Sequence, residues 1–184
     1  MRCLTHNQEY TIEEYCLYCG KPLEYLLLKD EKELKNENLW TIEVDGNKTT
    51  QQVYEECASL FPCWKFSLIN LSTITDERTG SYIVSFNANV EADEKYKNMS
   101  AGQIKKKNIK AITLKERLLL EMKYFKETGK HLDIDNITLC AGSRHEYGGV
   151  PCVNFCDGKV RVNWYGISDF YDCLRAREAI SINS

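Results

Sequence analysis

The stretch VPCVNFCDGKVRVNWY, residues 150–165, predicts a β-hairpin that turns at Asp157 and Gly158. An Asp-Gly pair between two apolar runs is a strong hairpin signal, because both central residues of the tight turn need a positive φ. The turn sets apolar residues opposite one another in three pairs: Phe155 with Val160, Val153 with Val162, and Pro151 with Trp164. All six then share one face, so turn and hydrophobic pattern predict the same register.

The opposite face of this hairpin is predicted to be polar and to be a surface for binding. Its members are Cys152, Asn154, Cys156, Lys159, Arg161 and Asn163. If this stretch is a strand, Cys152 and Cys156 cannot bind one metal ion together, because four residues along a strand span roughly 13 Å. We single out Arg161 as a candidate binding residue on this face.

Along the rest of the chain, the hydrophobic periodicity predicts strands and helices in a mixed order. Strands are expected at 39–44, at 80–93 and in a β-meander over 137–165, and helices at 49–61, 100–108, 113–129 and 168–180. Three of the helices begin with capping-box pairs, namely Thr49/Gln52, Ser100/Gln103 and Thr113/Glu116. The sequence therefore predicts an α+β fold with a mainly antiparallel sheet and about three helices.

A second feature stands at the amino-terminal end, in MRCLTHNQEYTIEEYCLYCGKPL. It places Cys3 and His6, then Cys16 and Cys19, so two ligand pairs of the spacing that holds zinc lie close in sequence. This segment resembles the zinc-ribbon class, above all in CLYCGKP, although the first pair has a histidine where a cysteine is commoner. Four ligands leave no open position for water, so we predict a closed structural zinc site. The expected domains are a zinc-ribbon module at 1–24 and an α+β domain at 25–184.

The remaining cysteines are expected to be structural. The total of nine is odd, which fits a disulfide framework poorly. Cys57 and Cys63 flank the end of a helix but have no further ligand pair nearby. Core packing is the prediction for four of them, Cys57, Cys63, Cys140 and Cys173.

Composition narrows the class of protein. The net charge is −3, and residues 1–60 hold 6 lysines and arginines against 12 acids, so the zinc end is the acidic end. No apolar run approaches the length of a membrane span, and the first residues do not follow the signal-peptide pattern. We expect a cytoplasmic protein.

Candidate binding residues lie in two further places. Lys105, Lys106 and Lys107 end a short helix, where a solvated helix end is favoured over phosphate contact. Arg144 and His145 belong to the loop AGSRHEYGG, for which an exposed hairpin loop is favoured over a binding loop. His131 follows a helix end, where a cation is stabilised for structural reasons. Phosphate loops, nucleophile elbows and HExxH helices do not occur in the sequence, which favours a binding protein over an enzyme.

One resemblance covers about the last 100 residues. The segment ITLKERLLLEMKYFKETGKHLDIDNITLCAGSR, followed by VPCV and LRAREA, resembles uncharacterised proteins of phages and prophages of low-GC bacteria. It implies a mobile-element accessory role and, if a phage encodes the protein, a location in the host-cell cytoplasm. The favoured function is a non-enzymatic, zinc-stabilised binding protein that acts through protein–protein contacts. Two alternatives stay open: an inhibitor of a host defence complex such as a CRISPR nuclease, and a nucleic-acid-binding accessory protein.

Overall fold

A computed structural model describes residues 39–183 and the backbone of residues 2–3 and 8–9. The chain divides into two compact units, 1–39 and 40–184, which are treated separately. In the first unit, β1 (Arg2–Cys3) pairs antiparallel with β2 (Gln8–Glu9), with Cys3 opposite Gln8.

From residue 39 onward the structure alternates strands with three α-helices among the described residues. The elements are β3 (Leu39–Val44), α1 (Thr50–Leu60), β4 (Cys63–Lys65), β5 (Thr75–Asp76), β6 (Tyr82–Asn87), α2 (Ala101–Lys106), α3 (Leu114–Thr128), β7 (Ile137–Leu139), β8 (Ser143–Arg144), β9 (Val150–Cys156), β10 (Lys159–Tyr165), β11 (Leu174–Arg175) and β12 (Ser181–Asn183). Short 3₁₀ turns lie at Leu71–Thr73 and Glu94–Tyr96. The predicted α+β class is confirmed. No helix within 39–183 is long and apolar enough to cross a membrane.

The largest sheet has the strand order β11-β7-β9-β10-β4. Its centre is antiparallel, while the edge strands β11 and β4 run parallel to their neighbours. The hairpin register is the predicted one, with Phe155 opposite Val160 and Val153 opposite Val162. A second sheet has the order β12-β6-β3, and β5 pairs with β8.

The three predicted capping boxes are all present. In each, the amino-terminal hydroxyl accepts from the backbone three residues on, and the side chain there accepts in return from the cap. Helix α3 ends at Gly129, whose φ of 68° lies in the left-handed region that glycine adopts without strain. Local capping chemistry therefore fixes where these helices begin.

The hairpin buries residues on both of its faces. Val153, Val160 and Val162 join the main core with α1 and α3. On the other face, Cys152 and Val150 join a second core beneath α2. The prediction that Cys152 lies on a polar face is therefore wrong, because α2 covers that end of the sheet.

Two further secondary-structure predictions are wrong, because the segments pair with distant parts of the chain. Residues 168–180 are not helical: β11 pairs parallel with β7, and the backbone of Arg177 accepts from Ile112 instead of closing a helical turn. The strand expected at 80–93 is limited to β6, and Val90 beyond it is exposed. In both segments, hydrogen bonds to distant backbone compete successfully with the local pattern.

A buried charge network joins the end of the chain to α3. The carboxylate of Asp133 receives Arg117 Nε at 2.9 Å and Arg177 Nη2 at 2.7 Å, and Arg117 Nη1 also donates to Glu121 at 2.6 Å. Burial opposes ionisation of Asp133, but the charges of Arg177 and Arg117 outweigh it and hold its pKa below the ordinary value. His131 adds Nδ1 at 2.9 Å from Glu121 and stacks on Phe155.

Candidate functional site

The predicted zinc ligands are not assessed by this structure. His6, Cys16 and Cys19 and the side chain of Cys3 lie outside the described residues. Within the described part of the chain, no three His, Cys, Asp or Glu side chains are grouped so as to hold a metal ion. The zinc site remains a prediction from ligand spacing.

The cysteines of the second unit divide into buried and accessible ones. Cys57 and Cys140 lie in the core as predicted, and burial raises the pKa of each thiol well above its ordinary value. Burial raises the pKa of half-buried Cys63 to about 11, so it is a weak candidate for a thiolate ligand. The prediction of a core position is wrong for Cys173, which is exposed.

The lysine run lies on the surface. Lys105 and Lys106 form the last turn of α2, and Lys107 is its carboxy-terminal cap, with all three side chains exposed. Lys110, three residues further on, is exposed as well. None of the four is paired with an acid among the residues that the structure describes. The arrangement is a small basic patch.

Arg144 has a structural role in its loop. Its guanidinium Nη1 donates to the backbone oxygens of Ala141 and Ser143, at 2.8 and 2.6 Å. Burial lowers the pKa of this arginine from its ordinary value. The side chain therefore braces the start of the loop and does not project toward a ligand.

His145 is buried, whereas an exposed loop was the favoured prediction. Only 8% of the residue is accessible, and the ring lies edge-to-face against two others. Its centroid is 5.8 Å from that of Tyr147 and 5.1 Å from that of Trp164, at interplanar angles of 71° and 74°. The loop thus folds over its own histidine instead of standing free in solvent.

These rings surround an open hollow of about 430 Å³. Five residues line it, and we call them the aromatic hollow: Leu68, His145, Glu146, Tyr147 and Trp164. Leu68 is 72% exposed and Tyr147 is 81% exposed. Exposed apolar side chains gathered around one concavity are typical of a recognition site.

Backbone and ring hydrogen bonds hold the loop in this shape. His145 N–H donates to Gly149 O at 3.0 Å, and Gly148 N–H donates to His145 O at 2.8 Å. The Tyr147 N–H donates to His145 Nδ1 at 3.1 Å, so the ring proton sits on Nε2. Nε2 itself has no hydrogen-bond partner among the described residues. The hollow is therefore formed before any ligand arrives.

Gly149 makes the close packing of this loop possible. A Cβ atom at this position would lie 2.1 Å from His145 Nε2 and 2.9 Å from Trp164 Cε3. Both contacts are far shorter than carbon and nitrogen atoms tolerate, and both neighbours belong to rigid rings. Close packing against His145 and Trp164 therefore explains why the second of the two adjacent glycines, Gly149, has no side chain.

Arg161 lies apart from this hollow, on the other face of β10. Its guanidinium carbon is 5.7 Å from the ring centroid of Trp64, and it also pairs with Asp157. Trp64 and Arg161 are opposite each other in the register of β4 and β10. The candidate binding residues of the sequence are therefore in three separate places and do not form one site.

A second open hollow, of about 460 Å³, lies beside the start of α1. Lys48, Asp76, Arg78 and Lys115 line it, but each already has a partner within the protein. Arg78 in particular forms two bonds to buried Glu116, at 2.7 and 2.6 Å. Burial raises the pKa of Asp76 to about 6. These polar groups are already paired within the protein, which makes this hollow the weaker candidate.

Comparison of the chain with protein-family models, curated proteins and solved structures found no match in any of the three. Function must therefore be argued from the site itself.

Sequence reasoning missed two members of the aromatic hollow. Trp164 was placed in the apolar face of the hairpin, yet 39% of it is accessible because it lies at the strand end, past the core. Leu68 precedes a 3₁₀ turn and carries no local signal of its own. The available hint was a pair of aromatic residues: Tyr147 in the loop and Trp164 on β10, the second strand of the hairpin that follows the loop.

Proposed function

We propose that this protein is a non-enzymatic binding protein that acts through protein–protein contacts, made at the aromatic hollow. The observation that carries the proposal is the exposure of Leu68, Tyr147 and Trp164 around one preformed concavity. Exposing large apolar side chains to water is unfavourable, and a partner that covers them removes this cost in free energy. Tyrosine and tryptophan are also the residues that most often dominate binding energy at interfaces.

The proposal includes a structural zinc ion at Cys3, His6, Cys16 and Cys19 and an origin in a phage or other mobile element. The zinc ion is supported by ligand spacing in the sequence. The origin is supported by the resemblance of residues 112–144 to phage and prophage proteins. Neither is needed for the hollow to bind a partner, so each can be tested alone.

Affinity capture tests the protein-binding function. The tagged chain is incubated with lysate of a low-GC host bacterium, and bound proteins are identified by mass spectrometry. A partner that is retained by the wild type is expected to be lost by Tyr147→Ser, because that change removes the most exposed ring of the hollow. The matched control is Phe170→Ser, which removes an exposed ring outside the hollow. Loss of capture in both variants alike, or in neither, would contradict the assignment.

Nucleic-acid binding is the second candidate, and the exposed patch of Lys105, Lys106, Lys107 and Lys110 favours it. Binding by phosphate contacts weakens steeply with salt, by a slope that reflects the number of contacts. Replacing Lys105, Lys106 and Lys107 with glutamine should flatten that slope if the patch binds. Affinity for single- and double-stranded DNA and RNA that does not respond to salt would reject this candidate.

A further inference from the structure

We propose that the aromatic hollow is a cation-recognising cage, which takes the guanidinium or ammonium group of an arginine or lysine side chain from another protein. The inference deepens the proposed function and rests on it only in assigning the cation to a protein partner. It follows from the rings, the charge and the size of the hollow, and from a comparison within the molecule.

The geometry of the rings suits a cation. The rings of Tyr147 and Trp164 both stand nearly perpendicular to His145, at 71° and 74°, so three aromatic groups border one space. Cations bind over aromatic faces within about 6 Å of the ring centre, and tryptophan is the strongest of the acceptors. At about 430 Å³, the hollow lies at the small end of ligand sites, which suits one side chain better than a helix or strand.

The charge of the hollow also suits a cation. Glu146 is the one acidic residue among the five lining residues, and Lys and Arg do not occur among them. The guanidinium of adjacent Arg144 is turned inward to Ala141 O and Ser143 O. His145 Nδ1 accepts a hydrogen bond from the Tyr147 N–H and so presents no N–H donor of its own to an anion. The hollow therefore favours a cation and disfavours an anion.

Two equally exposed tryptophans differ in what lies over their rings. Trp64 and Trp164 are each 39% exposed, but Trp64 has the guanidinium of Arg161 5.7 Å from its ring centroid. Tyr96 likewise has Lys95 Nζ at 4.7 Å. Among the described residues, Trp164 has no such cation over its ring. A ligand cation at Trp164 would make the contact that Arg161 already makes at Trp64.

Indole NMR signals give a direct test, since the chain has three tryptophans. The probes are N-acetyl-arginine amide and N-acetyl-lysine amide, with N-acetyl-citrulline amide and N-acetyl-norleucine amide as uncharged counterparts. The Trp164 signal is assigned from the Trp164→Phe variant. We expect the charged probes to shift the Trp164 signal saturably and to leave the Trp64 signal unchanged, because Arg161 already occupies that ring.

Matched variants locate the effect. Tyr147→Leu keeps an apolar side chain but removes the ring, and it should weaken binding of the charged probes by about three- to tenfold. Glu146→Gln should weaken it as well, while Phe170→Leu, outside the hollow, should not change it. Equal binding of arginine and citrulline probes would overturn the proposal, as would no shift of Trp164 at tens of millimolar.

The two proposals fail separately. If a captured partner depends on Tyr147 but the charged probes do not bind, the cage is wrong and the protein-binding function stands. If the charged probes bind at Trp164 and no partner is captured, the cation site stands and its assignment to a protein partner is wrong.

Discussion

The guanidinium of Arg177 and the carboxylate of Asp133 form a buried ion pair, with Nη2 2.7 Å from Oδ1. Arg177 also donates to the backbone oxygens of Asn89 and Val90, both at 2.7 Å. One side chain therefore ties the segment after β11 to the segment after β6 and to the loop that follows α3. This linkage explains why residues 168–180 depart from the helix that their pattern predicts.

Replacing Asp133 with asparagine should destabilise the protein strongly. Arg177 would keep a buried charge without its acid, and Arg117 would keep only Glu121; breaking one partner of a buried pair costs about 3–5 kcal/mol. Urea unfolding monitored by circular dichroism measures the loss. The control is Asp135→Asn, at an exposed position two residues away, which we expect to cost less than about 0.5 kcal/mol. A loss below about 1 kcal/mol for Asp133→Asn would show that the network is not stabilising.

Replacing Asp76 with asparagine should change how stability depends on pH. Burial raises the pKa of Asp76 to about 6, so ionising this acid costs free energy in the folded state. The wild type should then lose stability relative to Asp76→Asn as the pH rises from about 4 to about 7, by about 2 kcal/mol. Asparagine can still accept the hydrogen bond of the Ser143 hydroxyl. A difference that stays constant over this range would contradict the prediction.

Zinc content tests the amino-terminal site independently of the rest. Protein prepared under reducing conditions with zinc should hold about one ion per chain, and a strong chelator should lower its melting temperature. Cys16→Ser should reduce the zinc content, measured by mass spectrometry of the metal. Cys173→Ser, at an exposed cysteine outside the predicted ligand set, should leave it unchanged. Metal-free wild-type protein from that preparation would reject the site.

Local chemistry made much of the fold predictable. The Asp157-Gly158 turn and the capping boxes act within a few residues, and each one is observed as expected. The buried charge network was not predictable, because Arg117 and Arg177 look like solvated residues until distant carboxylates are placed beside them. For the site, His145 was found from its polar loop, but its burial depends on Trp164, nearly 20 residues further along the chain.

Adding a methyl group at Gly149 should disturb the aromatic hollow by displacing the His145 ring. The new Cβ would lie 2.1 Å from His145 Nε2, and an imidazole ring cannot yield as a flexible side chain can. Since the Tyr147 N–H donates to the same ring, the displacement should pass to the loop. Overpacking of this kind typically costs about 1–3 kcal/mol, which urea unfolding of Gly149→Ala would measure.

The same variant links the packing of Gly149 to binding. If His145 supports the hollow, Gly149→Ala should shift the Trp164 indole signal in the absence of ligand. It should also weaken binding of the charged probes. Gly102→Ala provides the control, because its Cβ would meet only Ile167 O, at 3.3 Å, and Ser100 Oγ, at 3.8 Å. An unchanged Trp164 signal in Gly149→Ala would mean that the histidine does not position the tryptophan. In that case Trp164 would hold its place through the strand alone.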